Sequence, residues 1–149
     1  MLTNKCAGVE ALVRWNHPQR GFIAANDFIP LAEELGLITQ LDEWVMKTAC
    51  VQFQKWQAAG FLLENLSVNV SARHFKEGGL TSYCQYLLDE TQIKAENLEI
   101  ELTESLLIDN YDNAKPVLTE VHKMGIRIAL DDFGTGYASM SYLKEFPFD

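Results

Sequence analysis

The stretch LEIEL, residues 98–102, decides the fold. Successive side chains of an extended strand point to opposite faces, so Leu98, Ile100 and Leu102 share one face and Glu99 and Glu101 the other. Three further stretches repeat the pattern. In SVNVS, residues 67–71, Val68 and Val70 oppose Ser67, Asn69 and Ser71. In IRIALD, residues 126–131, Ile126, Ile128 and Leu130 oppose Arg127, Ala129 and Asp131. In GVEALVR, residues 8–14, Val9, Ala11 and Val13 oppose Glu10, Leu12 and Arg14. One face is apolar throughout and the other is mixed. An open doubly wound sheet carries helices on both faces and is apolar on both. A barrel turns its apolar face to an outer ring of helices and its mixed face inward, so the pattern predicts an α/β chain of the (β/α) barrel kind.

Working outward, Asn69, Glu101 and Asp131 lie 32 and 30 residues apart, about one strand-helix unit each. The 59 residues from Glu10 to Asn69 hold two helical patterns. Strands are predicted over 6–13, 66–70, 98–103 and 126–131, and helices over 27–35, 39–59, 79–91 and 110–124. In the second helix Leu41, Trp44, Val45, Thr48, Val51, Gln52 and Trp56 step by three and four, the spacing of a helix. Asn26 is the expected N-cap of the first helix, and Gly36, Gly60 and Gly125 are stops. DFGTGY, residues 132–137, is read as a loop, with another helix beginning over 138–145. A full barrel needs eight strands and about 250 residues. The 149 residues therefore read as one domain, 1–149, forming a partial barrel of about four strands. Its two edge strands are expected to drive self-association, by pairing edges or by exchanging elements between copies.

Composition narrows the partners. Twelve basic and 21 acidic residues give a net charge of −9, with no basic stripe to grip a nucleic-acid polymer or an anionic membrane surface. A small phosphate ligand remains compatible if a metal ion supplies the positive charge. Cys6, Cys50 and Cys84 are odd in number and far apart, as suits reduced thiols in the cytoplasm. No apolar run reaches membrane-spanning length and no signal peptide opens the chain, although a parent protein could be anchored elsewhere. His17, His74 and His122 lack zinc-ligand spacing, and no P-loop or Gly-x-Ser-x-Gly motif occurs. Trp44 and Trp56 are expected in the core or at its rim, and Trp15 could border a base-binding surface.

The candidate site lies on the mixed face. Glu10, Asn69, Glu101 and Asp131 each sit near the C-terminal end of a predicted strand, where the ends of a barrel's strands meet. Oxygen donors of this kind suit a hard cation, and a hard cation suits attack on a phosphate. Arg14 is either a phosphate clamp or a plain ion-pair partner of Glu10. Asn69 either ligates or closes a turn, and Glu104 either steadies the following loop or starts a helix. Asp131 and Asp132 are adjacent carboxylates whose repulsion a dication relieves, and one carboxylate can bridge two metals. Glu99 and Arg127 share the inward parity one layer below and are predicted to pair, since either alone is a costly buried charge.

Together, EALVRWNHP, SVNVSARHF, LEIELTES and DDFGTGYASMSYLKEFPFD closely resemble the EAL domain family of cyclic di-GMP phosphodiesterases, built on a modified TIM-like barrel. The resemblance implies that Glu10, Asn69, Glu101 and Asp131 ligate Mg²⁺ or Mn²⁺, and that Asp132 joins a second metal. It implies that Arg14 contacts a substrate phosphate. It also implies that Glu104 holds the loop from Asp131 to Ser139, which in the family couples dimerisation to activity. The reaction implied is in-line opening of cyclic di-GMP to linear pGpG, with Glu10, Glu104, Asp131 and Asp132 as the acids of the catalytic centre and Asn69 also near substrate. The family's first strand with its Tyr-Gln-Pro type motif, its catalytic lysine, a later glutamate and a glutamine have no counterpart in these residues, so this stretch by itself is expected to turn over little substrate. Ala138 and Met140 stand where Ser and Leu are more usual. Two other readings stay open: a receptor that binds cyclic di-GMP without cutting it, and a purely structural dimerisation unit.

Overall fold

In the computed structural model, which describes residues 7–77, 79–131 and 145–149, alternation along the chain becomes a parallel sheet. The order is β1 (Gly8–Ala11), β2 (Trp15–His17), β3 (Gly21–Ile23), α1 (Ala25–Glu34), α2 (Ile38–Ala58), β4 (Asn65–Asn69), α3 (Arg73–Glu77), α4 (Leu80–Thr91), β5 (Leu98–Thr103), α5 (Glu104–Asp109), α6 (Tyr111–Lys123) and β6 (Arg127–Asp131). A 3₁₀ turn, Ala95–Asn97, leads into β5. The four long-range strands lie side by side as β1-β4-β5-β6, every neighbouring pair parallel. Sequential parallel strands with a helix between them are the repeating unit of a (β/α) barrel, and four of them make the predicted partial barrel.

The core sits on one face only. Leu66, Val68, Leu98, Ile100, Leu102 and Ile128 are buried beneath Met46, Cys50 and Phe53 of α2, Leu80, Cys84 and Leu87 of α4, and Leu118 and Val121 of α6. Along β5 the alternation is read directly: Leu98, Ile100 and Leu102 are buried, while Glu99 and Glu101 are half-buried on the opposite face. Apolar burial of this kind stabilises by about 25 cal/mol per Å² removed from water. It leaves the mixed face for other work.

Several sequence expectations need correction. The first strand is Gly8–Ala11, inside the predicted 6–13, because the chain turns to enter a hairpin that alternation did not reveal. In that hairpin β2 and β3 pair antiparallel, His17 opposite Gly21. Gly21 takes φ +70, and the His17 Nδ1 accepts the amides of Gln19 at 3.1 Å and Arg20 at 3.2 Å. Asn26 is not the cap of the first helix, which starts at Ala25 after Ala24. α2 forms where the three-and-four spacing put it, with a different set of residues turned to the core. Ile38, Asp42, Met46, Cys50 and Phe53 face the core, whereas Trp44, Val51 and Trp56 are exposed. The helix carries two apolar stripes, and only the one carrying Met46 and Phe53 meets the sheet. The short helix α3 has no counterpart in the sequence reading, and α5 is the helix that Glu104 was offered as starting. The expected DFGTGY loop and the 138–145 helix lie outside the described residues, apart from Glu145.

The far edge of the sheet is partly engaged. Asp149 donates its amide to the Ile128 carbonyl at 3.1 Å and accepts the Ile128 amide on Oδ2 at 2.9 Å. Phe146 is buried against Tyr111, ring centroids 5.4 Å apart. Among the described residues β1 has β4 as its strand neighbour and none on its other side.

Ile100 is fully buried on a central strand. Ile100→Ala is expected to cost about 2–5 kcal/mol in urea unfolding. A cost below about 1 kcal/mol would mean that the helices do not pack on this face as described.

Candidate functional site

Register places the mixed-face residues in tiers. Glu10 is level with Ser67, Ser67 with Glu99, and Glu99 with Arg127. Two residues further along, Asn69 is level with Glu101, and Glu101 with Ala129. Asp131 is level with Thr103, two residues higher again. From β1 to β6 the four candidate ligands therefore climb by two, zero and two positions. That climb is what a barrel requires. Its strands tilt by about 36° with a shear of about one residue per strand, so side chains at one height along the axis lie on a diagonal of the sheet.

The diagonal brings Glu10 and Asn69 together. Asn69 Nδ2 donates to Glu10 Oε1 at 3.0 Å although the two are not register partners. Glu101 has its pKa raised, first by burial and then by the negative charges of Glu10, Asp131 and Glu99, with a hydrogen bond from Ser67 acting in the opposite direction. Glu101 thus feels carboxylates from two other strands, Glu10 on β1 and Asp131 on β6. Glu10, Asn69 and Asp131 are exposed there and Glu101 is half-buried.

One tier down, the predicted Glu99–Arg127 ion pair is replaced by a bridge. Arg127 Nη2 donates to Asn65 Oδ1 at 2.6 Å, and Asn65 Nδ2 donates to Glu99 Oε1 at 2.9 Å. Ser67 Oγ donates to the same carboxylate oxygen at 2.7 Å. No carboxylate of the described residues lies within the 4.0 Å of an ion pair from Arg127. An amide has an acceptor and two donors, so Asn65 reaches both charged groups at once, although the buried Arg127 Nε has no hydrogen-bond partner among the described residues. Parity showed that Glu99 and Arg127 share a layer, but not that Asn65 would reach between them.

The remaining candidates are placed as follows. Arg14 is exposed just past β1 and donates from Nη1 to the Val13 carbonyl at 2.8 Å. Among the described residues it makes no ion pair, so the plain Glu10–Arg14 pair is not formed. Glu104 is 2 % exposed at the first position of α5, so it does start a helix, buried rather than at the surface. Asp132 and the rest of the loop to Ser139 lie outside the described residues. A cavity of about 420 Å³ opens beside the site, lined by Arg14, Asn69, Ser71, Thr103 and Asp42 among others. Trp15 is 40 % exposed near it, edge-on to His17 at 5.5 Å and Phe28 at 5.6 Å.

Sequence reasoning missed Asp42 and His74. Asp42 is buried on α2, accepts the Ser71 amide at 3.0 Å and stands 3.6 Å from His74 Nε2. Burial pushes its carboxyl up to about 6, with Ser71 opposing and Glu33 and Glu43 adding to the rise. The one available signal was an acid placed four residues from Ile38 and Met46 on a helix.

The donor chemistry, three carboxylates and an amide oxygen, fits a hard dication. Among the described residues no three acidic, histidine or cysteine side chains already stand close enough to enclose an ion. The adjoining Asp132 is outside that set.

Comparison with known proteins gives a consistent picture. The family model described as "EAL domain" matches residues 1–149. The chain is 43% identical over 140 residues to the bifunctional diguanylate cyclase/cyclic di-GMP phosphodiesterase MucR of Pseudomonas aeruginosa, covering 94% of this chain and 20% of that protein. It is 40% identical over 145 residues to another cyclic di-GMP phosphodiesterase of that organism, covering 97% of this chain and 24% of that protein. The chain thus spans about a quarter or less of the curated relatives it matches. A solved structure of the PaMucR phosphodiesterase in complex with c-di-GMP superposes with a TM-score of 0.90 at 42% identity, covering 96% of this chain and 58% of that one. The EAL enzyme Bd1971, in a form bound to cAMP and cyclic di-GMP, superposes at 0.85 with 26% identity, covering 98% and 41%.

Removing a negative neighbour favours the ionised form of a carboxyl. Asp131→Asn and Glu10→Gln are each expected to lower the titration midpoint of Glu101, followed by carbon-detected NMR of its side-chain carboxyl. A midpoint that stays put in both variants would show that these groups do not share one electrostatic site.

Proposed function

The chain belongs to the EAL domain family, and on that premise we propose that it forms one half of a metal-dependent cyclic di-GMP phosphodiesterase centre. The observation that carries this is the diagonal contact between Glu10 and Asn69, together with the charges of Glu10 and Asp131 acting on Glu101. Repulsion among acids placed near one another costs stability, and a bound cation offsets it.

Glu10, Asn69, Glu101 and Asp131 would hold Mg²⁺ or Mn²⁺, with Asp132 beside them for a second ion. When bound, such an ion polarises a phosphate oxygen and lowers the pKa of water. The chain's own residues do the rest of the work proposed here. Asn69 supplies a neutral oxygen where a further carboxylate would add repulsion. Arg14, past the end of β1 and without an acidic partner among the described residues, would place its guanidinium on a phosphate of the dinucleotide. Glu104, anchored at the start of α5, steadies the segment beyond Asp131. Overall, water adds across one phosphodiester bond, the P–O bond to a ribose oxygen breaks, and linear pGpG results.

The 149 residues act as one partial domain. Four strands surround the site from one side, so turnover by this chain alone is expected to be small. The working place proposed is the cytoplasm, which the buried free thiols Cys50 and Cys84 support. No helix of the described residues is long and apolar enough to cross a membrane.

Calorimetry with Mn²⁺ and cyclic di-GMP tests the reading. Binding of the dinucleotide is expected to need Mn²⁺ and to weaken at least tenfold in Glu101→Gln. Equal binding with and without Mn²⁺ would favour a metal-free receptor instead. The outer edge of β1 is further proposed to pair two copies of the chain. Light scattering is then expected to give the mass of a dimer, and a strictly monomeric mass at high concentration removes that proposal.

A further inference from the structure

The segment that follows Asn69 is held from two sides. Ser71, two residues on, gives its amide to Asp42 Oδ2 on α2 at 3.0 Å. Arg73 donates from Nη1 to the Glu33 carbonyl of α1 at 2.8 Å. Val70 still bonds to the Glu101 carbonyl at 3.1 Å, so Ser71 carries the first amide beyond the sheet ladder. A buried amide without a partner costs about 1–3 kcal/mol, and Asp42 supplies the acceptor. His74, fully buried on α3, places Nε2 3.6 Å from the same carboxylate oxygen. Asp42 also lines the cavity that Asn69 and Arg14 border.

For stability alone a buried carboxylate is a poor choice, since well-packed neutral groups usually do as well. Its geometry offers something a neutral filler lacks: a strong acceptor aimed at one amide, backed by a ring on the next helix. We propose that Asp42 is a positioning residue which, braced by His74, fixes the Ser71 turn and so sets where β4 presents the Asn69 amide. Asp42 touches neither cation nor substrate in this arrangement. It acts on the site as the outer groups around metal ligands do, by orienting a ligand that would otherwise sample several poses. The inference rests on Asn69 being a ligand for its consequence in binding, but the orientation of Asn69 is itself observable without any metal.

The test therefore has two readouts on the same variants, Asp42→Ala, Asp42→Asn and His74→Asn, with thermal unfolding as the control for folding. The first is the pair of Asn69 side-chain amide resonances in metal-free protein. Asp42→Ala is expected to shift them and to broaden them, Asp42→Asn to leave them nearly in place because an oxygen acceptor is kept, and His74→Asn to shift them less than Asp42→Ala. The second is the affinity for Mn²⁺ alone, expected to fall about tenfold in Asp42→Ala and to be largely recovered in Asp42→Asn. If unaltered protein fails to bind Mn²⁺, the metal reading is lost while the resonances still decide the positioning role. Unmoved Asn69 resonances in Asp42→Ala overturn the inference. So does an Asp42→Asn variant as impaired as Asp42→Ala, since charge rather than position would then matter. Should Asp42→Ala not fold, unmoved resonances in His74→Asn overturn it.

Discussion

A parallel sheet covered by helices on one side forces every second side chain into the hollow on the other. In this chain that rule meets the tilt of barrel strands, and the two together place the site. Leu98, Ile100 and Leu102 must face α4 and α6 to be buried, so Glu99 and Glu101 have no choice of side. The stagger between strands then selects which inward residues share a height. Glu10 and Asn69 meet in this way, although by register they stand on different tiers.

The two inward layers treat charge differently. In the lower one Asn65 and Ser67 donate to Glu99, and Arg127 donates from Nη2 to Asn65, while its buried Nε has no hydrogen-bond partner among the described residues. Every charge there has a hydrogen-bonded neighbour from the chain itself. The upper layer sets three carboxylates beside one amide, and Glu101 there has its pKa raised, by burial first and then by neighbouring negative charge. Excess negative charge at the mouth is what an incoming cation would relieve.

Much of this was legible in the sequence because period-two alternation is a local property. The bounds of β5 were read as they stand, and the barrel class followed from one mixed face. What escaped was tertiary or short. The β2–β3 hairpin has three-residue strands, too brief for a period to register. α3 spans one to two turns. α2 carries two apolar stripes, and only packing shows that Met46 and Phe53, not Trp44 and Trp56, meet the sheet. Parity put Glu99 and Arg127 in one layer but could not tell a direct pair from one bridged by Asn65. Asp42 gave no signal beyond being an acid on an apolar face, because its partners Ser71 and His74 lie about 30 residues away. The family resemblance added the roles of Arg14, Asp132 and Glu104, which spacing alone left open.

The central claim is that four strand-end oxygens surround one point in space. A crystal of the chain soaked in Mn²⁺, measured for anomalous scattering, addresses it directly. The account predicts a peak about 2.0–2.6 Å from oxygens of Glu10, Asn69, Glu101 and Asp131 together. Manganese bound elsewhere on the surface, with those four side chains unliganded at saturating metal, would contradict it.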